Sequence, residues 1–211
     1  MSGTPTDAHP KQVRESFGAL RRWFGARRAA ERCDLCGSDL TAEHDHLLFL
    51  PDRRLLCACN ACAILAPKSQ ESPYRRIPDE VRFVPDFRMS EGQWDRFQIP
   101  IDLAFFFFSS LTGKVSVGYP SPAGLIEAIV DQEAWASVLA DNPALQNMKP
   151  DTEALLINRL NRMTEYFLLP VDHCYRLVGL MRSRWQGLSG GPEAQKEIER
   201  FFSQLKEQTH A

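Results

Sequence analysis

Cys-Asp-Leu-Cys-Gly at residues 33–37, answered by Cys-Ala-Cys-Asn-Ala-Cys at 57–62, is the stretch on which the reading of this chain turns. It holds five of the six cysteines, and the C-x-x-C pairs Cys33/Cys36 and Cys59/Cys62 are separated by 22 residues. A C-x-x-C places two sulfurs on one tight turn. An intervening hairpin can then bring the second turn against the first and close a tetrahedron of thiolates, the arrangement of a structural zinc site. The expectation is a zinc-ribbon-like module over residues 31–67 that binds one structural Zn2+ through Cys33, Cys36, Cys59 and Cys62. A module of about thirty residues has too little core to fold alone, so the metal supplies folding energy. Cys57 competes with Cys59 for the third position, and His44 and His46 are further substitute ligands. Iron–sulfur ligation asks for closer spacing of three cysteines, which favours zinc over iron.

Between the two cysteine turns, His46 to Leu50 and Arg54 to Cys57 flank Pro51-Asp-Arg53 and read as a hairpin, with a short helix from Asn60 to Leu65. Upstream, residues 1–30 comprise a polar tail and a basic amphipathic helix from Lys11 to Ala30. Val13, Phe17, Leu20 and Phe24 share one face of that helix, and arginines fill the other. Downstream, Pro67 to Pro78 reads as a linker. Residues 79–211 then mix strands and helices. Val81 to Val84 alternates. Ser90 and Asp131 sit where helix N-caps belong, ahead of 91–97 and 132–139. Ile101–Ser109 and Lys114–Tyr119 read as two strands around Thr112-Gly113, and the run Phe105 to Phe108 as a central strand buried on both faces. Ala154–Leu160 and Thr164–Leu169 form another hairpin. A helix from Pro170 puts Cys174, Leu177, Val178, Met181 and Trp185 on one face and stops at Gly190-Gly191. A last helix begins at Pro192 and buries Ile198, Phe201, Phe202 and Leu205. The fold class is α+β: a four- or five-stranded antiparallel or mixed sheet covered by helices.

Composition excludes several classes. A hydrophobic content of 44% and a charged content of 25% are globular values. The formal net charge of −2 argues against a nucleic-acid binder, although residues 1–36 carry seven Lys/Arg against four Asp/Glu. The longest apolar run, Ile101 to Phe108, is broken by Asp102 and is too short to cross a bilayer. With no secretory h-region at the start, the clustered cysteines read as metal ligands in a cytoplasmic protein.

No phosphate-binding glycine loop, G-x-S-x-G or H-E-x-x-H string occurs. Asp172/Glu165 and Glu127/Asp131 read as caps and solvated faces, and Cys174 as an inert core thiol. The segment Glu-His-Asp-His at 43–46, with Leu55-Leu-Cys57 and Cys59-Asn60, resembles the His-Asn-His (ββα-metal) nucleases. That resemblance implies an enzymatic alternative in which His44, Asp45 and His46 activate water and hold magnesium. Over nearly the whole chain, a second resemblance is carried by the cysteine strings, Gln98-Ile-Pro-Ile-Asp-Leu-Ala-Phe, Tyr119-Pro-Ser-Pro-Ala-Gly, Pro170-Val-Asp-His-Cys-Tyr-Arg and Trp185-Gln-Gly-Leu-Ser-Gly-Gly. These resemble an uncharacterised bacterial family, a domain of unknown function often encoded beside nickel–iron uptake hydrogenases. The resemblance implies a non-catalytic accessory protein with a protein partner, a hydrogenase subunit or maturation factor, acting in assembly or electron transfer.

Overall fold

Four consecutive phenylalanines set the layering. In a strand, successive side chains point to opposite faces. Phe105 and Phe107 of strand β5 (Leu103–Ser109) therefore enter one apolar layer while Phe106 enters the other, each at most 1% exposed. Only a strand with a neighbour on each edge and a helical layer on each face can bury that run. The computed structural model, which describes residues 31–209 apart from 70, 122, 161–163 and 185–190, places it there. The helix expected over 11–30, Trp185 and Gly190 lie outside the described residues.

The central sheet has six strands, all antiparallel, in the order β4-β9-β8-β5-β6-β7. Its other strands are β4 (Arg82–Phe83), β6 (Lys114–Ser121), β7 (Gly124–Ile129), β8 (Glu153–Asn158) and β9 (Glu165–Pro170). The sheet is thus larger than the four or five strands expected, and not mixed. Gly118 of β6 pairs with Phe105, whose ring lies over it. A Cβ at Gly118 would stand 2.4 Å from the Phe105 Cζ, so no larger residue fits without movement.

One face is covered by helices α2 (Glu91–Asp95) and α3 (Gln132–Asp141) and the 3-10 turn Pro143–Asn147, which bury Trp94, Trp135, Val138 and Leu145 against Phe106, Leu155 and Ile157. Both helices begin where a side chain satisfies their free amides. Ser90 and Gln93 form a capping box, and Asp131 accepts from the amides of Glu133 and Ala134. The opposite face is covered by α4 (Val171–Arg184) and α5 (Gly191–Thr209), which contribute Cys174, Leu177, Val178, Met181, Ile198, Phe201, Phe202 and Leu205. At roughly 1.5–3 kcal/mol per fully buried large apolar side chain, these two layers are the main source of stability.

A separate three-stranded sheet, β2-β1-β3, carries the cysteine module. Strands β1 (Asp45–Phe49) and β2 (Arg54–Ala58) form the expected hairpin, and helix α1 (Asn60–Leu65) follows. The third strand, β3 (Tyr74–Arg76), comes from the segment expected to be a linker, so the module's sheet runs beyond residue 67. Alternation along β1 divides its contacts. Leu47 and Phe49 pack with Leu56, Ala58 and Ala63, whereas Leu48 and Leu50 pack with Ile77 and with Val171 at the start of α4. Arg53, with φ 54°, closes the hairpin turn and lays its guanidinium 3.9 Å from the centre of the Phe107 ring. Its Nε also donates to the Tyr175 hydroxyl at 3.3 Å, and Tyr175 donates in turn to Glu127. The module is thereby fastened to the six-stranded sheet.

Candidate metal centre

The first cysteine turn is closed by the Gly37 amide donating to the Cys33 carbonyl at 2.8 Å. Gly37 takes φ +75°, a left-handed conformation that glycine adopts without steric cost. Asp34 then joins this turn to β2. Its amide donates to the Cys57 carbonyl at 2.9 Å, and its carboxylate accepts from the Cys57 amide at 2.7 Å. The second turn leaves β2 at Ala58, and Cys59 is the extended residue that opens α1. Cys62 thus lies in the first helical turn.

The sulfurs of Cys33, Cys36, Cys59 and Cys62 consequently lie within 4.8 Å of one another, with 3.7 Å between those of Cys36 and Cys59. A tetrahedron with metal–sulfur bonds of about 2.3 Å has sulfur–sulfur edges of roughly 3.8 Å. The four cysteines therefore fit a metal ion in size and in donor type. Cys57 is not among them.

Local donors bias two of the four thiols, Cys33 and Cys59, towards charge. Burial opposes ionisation of Cys33, but the amides of Cys59, Cys36 and Leu35 and the Cys36 thiol bring its pKa down to about 6. Cys59 is lowered by the Cys62 amide and the Ser38 hydroxyl. Cys62 is pushed up to about 12 because its proton is shared with Cys59 and then Cys36. A positive ion at the centre would replace that shared proton, which would link thiol protonation to metal affinity.

His44, His46 and Cys57 form a second group. One ring nitrogen of each histidine and the Cys57 sulfur again lie within 4.8 Å of one another. His46 and Cys57 are cross-strand neighbours in the β1–β2 register. Nδ1 of His46 donates to the Asp172 carboxylate at 2.9 Å, and that hydrogen bond is the main reason its pKa rises. Burial, then repulsion from Asp34 and Glu31, raises the Cys57 thiol. His44 Nδ1 donates to the Thr41 carbonyl at 2.9 Å.

Of the residues of the nuclease alternative, the fold brings His44 and His46 together, with ring centres 4.9 Å apart, but turns Asp45 away from them. Asp45 shares its face of β1 with Leu47, opposite His46, and Arg76 binds it at 2.7 Å. Of the carboxylates read as caps, Asp131 is one. Glu165 is paired with Lys206 and accepts from Asn158, and Glu127 accepts from Tyr175. Asp172 belongs to His46, across 126 residues of sequence, and no local signal marks it as that partner. Cys174 is fully buried, and desolvation raises its thiol well above the ordinary range.

These features define an α+β protein of helices and antiparallel sheets with a cysteine cluster, near its N-terminus, able to hold a metal ion. The chain belongs to a family of unknown function, DUF5947, whose model matches residues 32–209. That match takes in both the cysteine module and the six-stranded sheet as one unit. No curated protein and no solved structure matches the chain.

Proposed function

We propose that Cys33, Cys36, Cys59 and Cys62 hold one structural zinc ion in a zinc-ribbon-like module, and that the protein is a cytoplasmic accessory factor acting by protein–protein contact. The observation that carries the metal reading is the agreement between the 3.7 Å Cys36–Cys59 separation and the edge of a tetrahedral four-thiolate zinc site. All four positions are filled by protein sulfur, the closed arrangement of structural rather than catalytic zinc.

Exposed apolar side chains support the interaction reading. Leu35, Ile64 and Leu65 are 38%, 48% and 59% exposed, and each lies within three residues of a cluster cysteine. A metal-stapled knuckle would hold them rigid, which reduces the entropy lost on docking. The partner in this reading is a nickel–iron hydrogenase subunit or maturation factor, served in assembly or electron transfer. No helix among the described residues is long and apolar enough to cross a membrane.

Elemental analysis of protein purified without added metal tests the first part. Zinc should be present and should be lost on Cys36→Ser, together with the order of residues 31–66. Iron with visible absorbance would replace the structural zinc by a redox centre. The second part is tested by affinity purification from the native host: recovery of hydrogenase components, lost on Leu65→Asp with metal retained, is the expected result. Nucleic acid or an unrelated complex in their place would remove the hydrogenase assignment.

A further inference from the structure

The group formed by His44, His46 and Cys57 goes beyond the four-cysteine site: it uses none of those four sulfurs, although it lies in the module that they are proposed to hold together. Both histidines have one ring nitrogen committed. Carbonyl and carboxylate oxygens only accept hydrogen bonds, so Nδ1 of His44, on the Thr41 carbonyl, and Nδ1 of His46, on Asp172, each carry the proton. In each neutral ring, Nε2 is then a lone pair. The His44 side chain is 8% exposed, and its Nε2 is buried with no hydrogen-bond partner among the described residues. A buried acceptor left without a partner destabilises the fold unless something binds it.

Nδ1 bonded to a backbone carbonyl or a carboxylate, with the other nitrogen free, is how proteins prepare a histidine for a metal. Asp172 supplies the carboxylate–histidine half of such a triad. The third donor, Cys57, faces His46 across the hairpin. The carboxylates of Glu31, Asp34 and Asp172 stand around the three donors, in contact with His44, the Cys57 amide and His46 respectively. That surround favours a cation.

We infer that His44 Nε2, His46 Nε2 and Cys57 Sγ bind a second zinc ion, oriented through Thr41 and Asp172. One ring nitrogen of each histidine and the Cys57 sulfur already lie within 4.8 Å of one another, and side-chain rotations that present both Nε2 atoms bring the donors to the edges of roughly 3.3–3.8 Å that zinc–nitrogen and zinc–sulfur bonds require. The protein supplies three ligands, and the partly exposed His46 side chain leaves the fourth position open to water or to an exchangeable donor. The two sites thus differ in kind: one is closed by four sulfurs, the other open.

The test is zinc stoichiometry of the full-length protein after equilibrium dialysis, with cobalt(II) absorption spectra as a second readout. Wild type should hold about two ions per chain, and Cys57→Ser and His44→Ala about one, with circular dichroism unchanged. Asp172→Asn keeps all three ligands and should weaken only the second equivalent, by about 10–100-fold. A wild-type content of about one ion, lost on Cys36→Ser and kept on Cys57→Ser, overturns the second site and leaves the four-cysteine reading standing. Two ions that both survive Cys57→Ser and His44→Ala overturn it as well. Should either truncation unfold the chain, an Asp172→Asn affinity equal to wild type for both equivalents is sufficient to reject the proposal.

Discussion

Replacing Gly118 with alanine places a methyl carbon 2.4, 2.7 and 2.9 Å from Cζ, Cε2 and Cε1 of Phe105. Non-bonded carbons prefer about 3.5–4.0 Å, so the overlap at the closest atom is about 1 Å. The ring has nowhere to go. It is 1% exposed, stacks on Phe107 at 6.1 Å and meets the edge of Tyr175 at 6.2 Å, on a strand paired along both edges. Overpacking a dense core typically costs about 1–3 kcal/mol, and this geometry points to the upper end. Relief of glycine's unfolded-state entropy returns about 0.5–1 kcal/mol, leaving a net destabilisation of about 2 kcal/mol. With a urea slope of about 2 kcal/mol/M, the midpoint should fall by about 1 M at unchanged slope. Repeating the change in a Phe105→Leu background removes the clash, and there Gly118→Ala should cost less than about 0.5 kcal/mol. An equal cost in both backgrounds, or a cost near zero in the first, would refute the argument.

Leu177 of α4 is 2% exposed, and Leu177→Ala should lower stability by about 2–5 kcal/mol in the same assay. Arg53→Ala strips the buried Asp151 carboxylate of a guanidinium 3.8 Å away and opens the contact with Phe107, for an expected loss of about 3 kcal/mol; a change below half of that would show that Arg53 does not fasten the module. The Asp131 carboxyl is held below the usual range by the Ala134 amide, then by the Arg96 guanidinium. Its contribution is therefore complete above the unfolded carboxylate pKa and disappears as pH falls through the lower folded value. Asp131→Asn should flatten the acid side of a stability–pH curve while leaving the helix capped. Cys174 should react with maleimide only in denaturant, as mass spectrometry of labelled peptides would register; labelling in the native state would mean that α4 opens.

What sequence reading recovers here follows the strength of local patterning. The phenylalanine run, the hairpin around Pro51–Arg53, and the caps Ser90 and Asp131 are read correctly because each is decided by nearby residues. Two strands escape it. Strand β7 is an edge strand with Ile126 and Ile129 exposed, and β3 is three residues, Tyr-Arg-Arg, in a charged segment. Edge strands are short or solvated, so neither carries the alternation that marks a half-buried strand. Within the site, spacing singles out the cysteine pairs, but the separation of Cys57 from Cys59 depends on where β2 stops and α1 begins. The bond between Asp172 and His46 depends on how the hairpin docks, which no short-range signal encodes.

That docking has a consequence for synthesis. His46 and Asp172 are 126 residues apart, and Arg53 and Tyr175 are 122 apart. At about 5–20 residues per second, a ribosome finishes the hairpin on the order of 6–25 s before α4 emerges. During that interval Leu48 and Leu50 have no helix to cover them, and the nascent hairpin offers a sticky surface to chaperones and to other chains. The zinc proposed for the cysteine turns would hold the waiting hairpin in register; without it, the segment would wait as an unfolded, adhesive tether. If zinc is the metal, as proposed, its starvation should be felt by chains still being made before it reaches those already folded.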